Sequence, residues 1–320
     1  MRFLSLTYYA LLTSIATMAL STYVYAESAK SILTTDSFAT LEQQVMQWGE
    51  PKNTLVVMDN DDTLTMIACA DDQSPSECQY LGGAAWYAWQ SELVAAQSGP
   101  RVADTSLELI EASDLLFALN TMVYTRDNVP AILARLSSQG VRLMVETARG
   151  NQTISATEDQ FTDLTLPDGG DLLSFFATHA PKFAGLASKA SPYSSCDSDS
   201  QRRISYRQGV IYLAGQDKGK NLLCFVNQYN DTLSPDKQIR NIVFIDDTLE
   251  NVESINQAFA TQAQFNVAAY HYTALAAHKA ALTQGPMAKK HQAKATERWC
   301  KVIKTMTKEL IKPSYTRECR

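Results

Sequence analysis

Thr54-Leu-Val-Val-Met-Asp-Asn-Asp-Asp-Thr-Leu64 is the stretch on which the fold turns. Four apolar residues, two of them β-branched, run without a break into Asp59, Asp61 and Thr63. A continuous apolar run of that length, ended by polar groups, is the pattern of a strand covered on both faces in a parallel sheet. Open α/β sheets carry their chemistry just outside the carboxyl ends of such strands. Two carboxylates two residues apart at that place suit one hard cation and one shared substrate. The same residues imitate the first half of a calcium loop. That reading fails, because the sixth position is Leu64 where the loop needs Gly and the twelfth is Ala70 where it needs Glu.

Before this strand, Asp36 or Ser37 can cap a helix in which Phe38, Leu41, Val45 and Trp48 share a face, with Gly49 and Pro51 as stops. After it, an irregular piece with Cys69 and Cys78 leads to Gly82-Gly83. Two helical patterns follow, one with Trp86, Trp89 and Leu93, the other over Thr105 to Leu119. No strand alternates with them, so they read as a helical insertion above the first strand. Trp86, Tyr87 and Trp89 either line such an insertion or form its own small core, the commoner role for aromatics at helical spacing.

The alternation then resumes. A helix over Asn128 to Ser138, with Pro130 in its first turn, ends at Gly140. The strand Val141 to Val145 runs into Glu146-Thr147-Ala148-Arg149-Gly150. A helix from about Ser155 to Leu164 and a long loop-rich stretch to Asp199 come next. Ile204 to Leu213 reads as a hairpin turning at Gln208-Gly209. Lys218-Gly219-Lys220 opens a helix, and Asn241 to Ile245 is a third buried strand, running into Asp246-Asp247. Phe265 to Tyr272 is the last expected strand. A basic C-terminal helix carries Trp299, Ile303, Met306 and Leu310 on one stripe.

In a parallel sheet with right-handed crossovers, these strand ends fall on one edge. That edge would gather Asp59 and Asp61, Thr147 and Arg149, Asp246 and Asp247, with Lys218 opening a helix beside them. Phosphoryl transfer needs this set: a carboxylate to attack phosphorus, a cation bridged by carboxylates, a hydroxyl and a lysine for the transferring group, and an acid for the leaving alcohol. Arg149 either binds substrate phosphate or pairs with an acid at the sheet edge. Lys218 and Lys220 are both within reach of the site. His179, His271, His278 and His291 fit no metal or base pattern.

Asp59-Asn-Asp-Asp-Thr-Leu64, Thr147 after its strand, Lys218 in Lys-Gly-x-x-Leu and Ile245-Asp246-Asp247 resemble the four ordered motifs of the haloacid dehalogenase-like (HAD) superfamily. The resemblance covers about residues 52 to 272. Thr147-Ala-Arg-Gly150, together with an export signal, is similar to secreted bacterial members of that superfamily. The resemblance implies an α/β fold: a three-layer α/β/α sandwich on a central parallel sheet, with a small helical cap inserted at 67–125. It implies Mg2+ and an aspartyl-phosphate intermediate. Asp59 would be nucleophile and metal ligand. Asp61 would be general acid and base, and a ligand through its backbone carbonyl. Asp246 and Asp247 would complete the metal site. Thr63, Thr147, Ala148, Arg149 and Lys218 would bind the phosphate. An Asp two positions after the nucleophile marks members that protonate an oxygen leaving group, so a phosphomonoester phosphatase acting on a small molecule is expected. A phosphotransferase on the same scaffold, and a catalytically vestigial secreted binding protein, are the alternatives.

At 320 residues and 45% hydrophobic, the chain can build a full core and an addition. Net charge is −6. From Lys279 onward, eleven Lys and Arg face three Glu, a net +8 that leaves −14 on the rest. An acidic body with a basic tail does not point to nucleic acid. The tail's stripe is expected to pack on the body in preference to a membrane surface. Met1 to Ala26 reads as a cleaved signal peptide, with an apolar centre from Tyr8 to Leu20, and implies export to periplasm or medium. The rest divides into a core at 27–66 and 126–275, the insertion, and a helical extension at 276–320. All six cysteines follow the leader, an even number compatible with disulfides. Proximity favours Cys69 with Cys78 and Cys300 with Cys319, leaving Cys196 and Cys224; fifteen pairings are possible.

Overall fold

The computed structural model describes residues 32–68, 80–198 and 200–310, and the quoted apolar run lies in the middle of an eight-stranded sheet. From the amino end come β1 (Leu33–Thr35), α1 (Ala39–Trp48), β2 (Thr54–Met58) and β3 (Thr65–Ile67). Helices α2 (Ala84–Ala95) and α3 (Ser106–Leu119) precede β4 (Met122–Tyr124). Then come α4 (Val129–Ser138), β5 (Arg142–Thr147), α5 (Ile154–Thr162) and α6 (Leu172–His179). The short strands β6 (Tyr193–Ser194), β7 (Arg203–Arg207) and β8 (Val210–Tyr212) lead to α7 (Lys218–Asn230). The chain closes with β9 (Asn241–Asp246), α8 (Leu249–Phe259), β10 (Asn266–Tyr272), α9 (Ala276–Thr283) and α10 (Ala288–Glu309).

The sheet order is β1-β10-β9-β2-β5-β8-β7-β6. Its first six strands are parallel, and β7 and β6 join antiparallel at one edge. Successive side chains of a strand point to opposite faces, and both faces of this sheet are apolar. Val56, Met58, Leu143, Val145, Val243 and Ile245 pack under α1, α4, α5 and α6. Leu55, Val57, Met144, Ile242 and Phe244 pack under α7 and α8. The fold is thus a three-layer α/β/α arrangement on a mostly parallel sheet. Double coverage explains why the centres of β2, β5 and β9 read as apolar runs.

β1, β3, β4, β6 and α6 were not anticipated from sequence. β1 is a three-residue edge strand with only Thr35 buried. Helix α6, capped by Asp171, sits inside the loop-rich stretch. β3 and β4 pair with each other, Thr65 opposite Tyr124 and Ile67 opposite Met122, and so close the base of the inserted segment. The start of α1 also differs: Phe38 holds the cap position, and the Ser37 hydroxyl accepts from the Ala39 N–H at 3.2 Å.

The inserted helices share a core with the C-terminal helix. Trp86, Trp89, Val94, Leu109 and Leu116 pack with Trp299 and Ile303, and the Trp86 and Trp299 rings lie 6.4 Å apart. The Trp299–Ile303 part of the C-terminal stripe is therefore covered by the insertion, not by the α/β layers, while Leu310 at its end is exposed. No described helix is long and apolar enough to cross a membrane. Cys196 is bonded to Cys224 with Cα atoms 6.3 Å apart, tying the β6 loop to α7. Cys300 is also disulfide-bonded. Cys69, Cys78, Cys319 and the expected leader at 1–26 lie outside the described residues.

Candidate active site

Register brings the polar strand ends level. Met58 lies between Val145 of β5 and Ile245 of β9, and the Asp59 N–H donates to the Ile245 carbonyl at 3.0 Å. The next residues on these strands are therefore neighbours: Asp59, Glu146 with Thr147, and Asp246.

Lys218 arrives from the first turn of α7. Asp217 caps that helix by accepting from the Lys220 N–H at 2.7 Å. A Cβ on Gly219 would stand 2.2 Å from the Ser254 carbonyl oxygen, so glycine is needed for α7 to press this closely on α8. The Lys218 ammonium then donates to Asp59 Oδ1 at 2.5 Å, Asp246 Oδ2 at 2.7 Å and the Glu146 carbonyl at 2.8 Å. All three donors are used, and the side chain is 1% exposed. Burial alone would push this lysine down; Asp246, Asp59 and Glu146 outweigh it and hold it above the ordinary lysine range. Lys220 points elsewhere, half exposed and paired with Asp197 at 3.0 Å. Of the two lysines, Lys218 is the one in the site.

Carboxylate oxygens of Asp59, Asp246 and Asp247 all lie within 4.8 Å of one another. Asp246 is fixed by the Thr248 N–H at 2.8 Å and by the Asn251 amide. Asp247 pairs with Lys279 of α9, and its backbone carbonyl lies 3.2 Å from His271 Nε2. Burial pushes the Asp59 carboxyl well above the usual range; Lys218 opposes the rise, and Asp246, Asp247 and Asp61 add to it. Three buried carboxylates against two ammonium groups favour a further cation. An all-oxygen set of hard donors fits Mg2+ and suits no soft metal.

The other expected residues divide. Thr147 is buried at the end of β5, its hydroxyl accepting from the Arg149 N–H at 3.1 Å, and Ala148 beside it is exposed. The Thr63 hydroxyl accepts from the Asp247 N–H at 2.9 Å and donates to Asp247 Oδ1 at 3.3 Å. It is fully buried and brackets two loops, with its hydroxyl proton directed at Asp247. The Asp61 carboxylate stands apart from the three-carboxylate cluster. Arg149 holds both its oxygens, Nε to Oδ2 at 2.9 Å and Nη2 to Oδ1 at 2.7 Å. Of the two readings of Arg149, the ion pair is the one present, because Asp61 lies directly across from it at the sheet edge.

Sequence reasoning passed over Lys279, Glu146 and Asp62. Lys279 had no signal, since it follows the last motif in a segment read as a basic helical extension packed on the body. Glu146 had one: it is charged within an apolar strand and shares the face of Met144. It is fully buried, and among the described residues neither carboxyl oxygen has a hydrogen-bond partner. Burial pushes its carboxyl well up, despite Lys218. Asp62 is also buried, and burial, with the Asp247 charge second, raises it to about 7. Beside Asp247, a cavity of about 340 Å3 opens between α2 and α9, lined by Trp89, His271, Leu275, Lys279 and Gln284 among others.

A family model described as "Protein of unknown function (DUF2608)" matches residues 34–312. Among solved structures, the chain has a likeness to cytosolic 5'-nucleotidase IIIB bound to cytidine, at 13% identity and a TM-score of 0.27. That likeness covers 80% of this chain and 93% of the other, and at such a score it carries no argument. No curated protein matches the sequence.

Proposed function

We propose that this chain, which belongs to the DUF2608 family of unknown function, is a phosphohydrolase of the HAD type acting on a small phosphomonoester. The observation that carries the reading is the buried Lys218 ammonium joining Asp59 to Asp246, with Asp247 alongside. Charge of that density, drawn from two strand ends and the start of α7, costs several kcal/mol per ion to bury. Strand ends at a sheet edge do not need it for folding.

In the proposed reaction an Asp59 oxygen bonds to phosphorus as the bond from phosphorus to the leaving alcohol breaks. Asp61 passes a proton to that alcohol's oxygen. Water then attacks the aspartyl phosphate, Asp61 takes a proton from it, and Asp59 is regenerated. Lys218 and Thr147 meet the charge on the transferring group. Asp59, Asp246 and Asp247 would hold Mg2+, which when bound supplies further neutralisation of phosphate charge. Export by the leader at 1–26 belongs to the same proposal on sequence grounds. The amino-terminal sequence of the protein recovered outside the cytoplasm tests it, with cleavage after Ala26 expected.

The chemistry is tested by turnover of a chromogenic phosphomonoester with Mg2+ and with EDTA, beside Asp59→Asn. Metal-dependent release abolished by the substitution is expected. Release that survives the substitution, or no Mg2+ binding at all, overturns the proposal.

A further inference from the structure

Arg149 is spent in a way the proposed reaction does not require. Its side chain is 2% exposed. Beyond the fork on Asp61, its Nη1 donates to Thr157 Oγ1 at 2.8 Å and to Gln160 Oε1 at 2.7 Å, both on α5. The guanidinium also lies over the Phe117 ring of α3, 4.3 Å from its centroid. Gln160 continues the chain of contacts: its Nε2 donates to the carbonyls of Phe117 at 2.6 Å and Asn120 at 3.1 Å, the last turn of α3. Phe117 lies in the last turn of α3 and Asn120 at its C-cap, so Gln160 closes that helix end from another element.

A continuous path thus joins the end of an inserted helix to the Asp61 carboxylate. A buried guanidinium needs all of these partners to offset its desolvation. Its position is therefore set jointly by α5 and α3, and a bidentate fork passes that position on to both oxygens of Asp61. We infer that Arg149 is the positioning residue of the acid Asp61, and that the end of helix α3, through Phe117 and Gln160, governs the proton transfer as well as covering the site. This rests on the phosphatase reading. It assigns the insertion a place in one step: as the bond from phosphorus to the leaving oxygen breaks and the Asp59 oxygen bonds to phosphorus, the proton moves from Asp61 to that oxygen.

The step can be isolated because leaving groups differ in their need for a proton. A p-nitrophenolate departs without one; an alkoxide does not. The ratio kcat/KM covers only events up to leaving-group release. The test compares p-nitrophenyl phosphate with glycerol phosphate in the full chain, with Gln160→Leu and Phe117→Leu, neither of which touches Asp61 or the phosphate. General acid catalysis is worth roughly 10²- to 10⁴-fold, so losing part of it is expected to lower kcat/KM for the alkyl ester roughly tenfold or more. The aryl ester should change by less than about threefold. Equal losses on both esters, or no loss on either, overturn the inference and leave the phosphatase reading standing. Turnover of neither ester by the unaltered protein, or turnover surviving Asp59→Asn, overturns that reading and the inference with it.

Discussion

Lys218→Met removes the cation that the three strand ends share, and the loss can be apportioned from the contacts. Asp246 keeps the Thr248 N–H and the Asn251 amide. Asp59 keeps nothing of the kind, since its carboxylate is bonded only to Lys218 among the described side chains. The cost therefore falls on one buried, unpaired carboxylate. Breaking a buried ion pair by deleting one partner typically costs about 3 to 5 kcal/mol, and we expect a loss in that range at pH 8 in EDTA. In the variant, Asp59 is raised still further in the folded chain relative to the unfolded one. A raised carboxyl imposes no penalty below its unfolded value and a growing one as pH rises towards the folded value. Acidification towards pH 5 should therefore return part of the stability. Mg2+ at a hundred times its dissociation constant contributes about 2.7 kcal/mol to any form that binds it, and this too should restore the variant. The assay is urea unfolding followed by tryptophan fluorescence at both pH values, with and without Mg2+. A loss below about 1 kcal/mol, the size of an ordinary surface pair, would refute the reasoning. So would a large loss that neither acid nor Mg2+ reduces.

Three other substitutions probe separate features. Asp62→Asn removes a buried carboxyl raised from 3.8 to about 7, whose penalty on the folded chain grows across that interval. The variant should be more stable at pH 8 by up to about 4 kcal/mol and should converge with the parent near pH 4, as urea midpoints will report. Lys279→Met deletes the ammonium on Asp247. At roughly 1 kcal/mol for a partly exposed pair, it should tighten Mg2+ about fivefold by calorimetric titration; weaker binding would mean that the lysine supports the metal. Trp299→Ala empties a site that is 4% exposed between the insertion and α10. A cost of about 3 to 5 kcal/mol in urea unfolding is expected, and a negligible one would deny that the two segments share a core.

What could be read in the sequence was whatever the sheet dictates locally. β2, β5 and β9 announce themselves because both faces are covered, and a parallel sheet then puts Asp59, Thr147 and Asp246 on one edge. Lys218 was separable from Lys220 only in three dimensions, where Gly219 lets α7 close on α8. Position alone decides which lysine is buried. Arg149 was legible as a residue with two possible partners; choosing between them needed α3 and α5 to converge on it. The stripe of α10 was plain, but its partner was not, since an apolar face says nothing about which apolar face covers it. β1 is too short to carry a period. α6 spans eight residues behind a Pro-Asp-Gly-Gly turn, so flanking breakers hide it.

The most direct test of the proposed chemistry is to catch the phosphoryl group on its carboxylate. Asp61→Asn should transfer the phosphoryl group of p-nitrophenyl phosphate to Asp59, releasing p-nitrophenolate, and then stall, because the water that must attack next has lost its base. The variant, mixed with that ester and Mg2+ and quenched in acid, is digested and weighed peptide by peptide. The predicted result is one phosphoryl group on the peptide holding Asp59, absent when EDTA replaces Mg2+ and absent in Asp59→Asn. A phosphoryl group on any other residue, or none while the unaltered protein turns the ester over, would contradict the assignment of Asp59 as nucleophile.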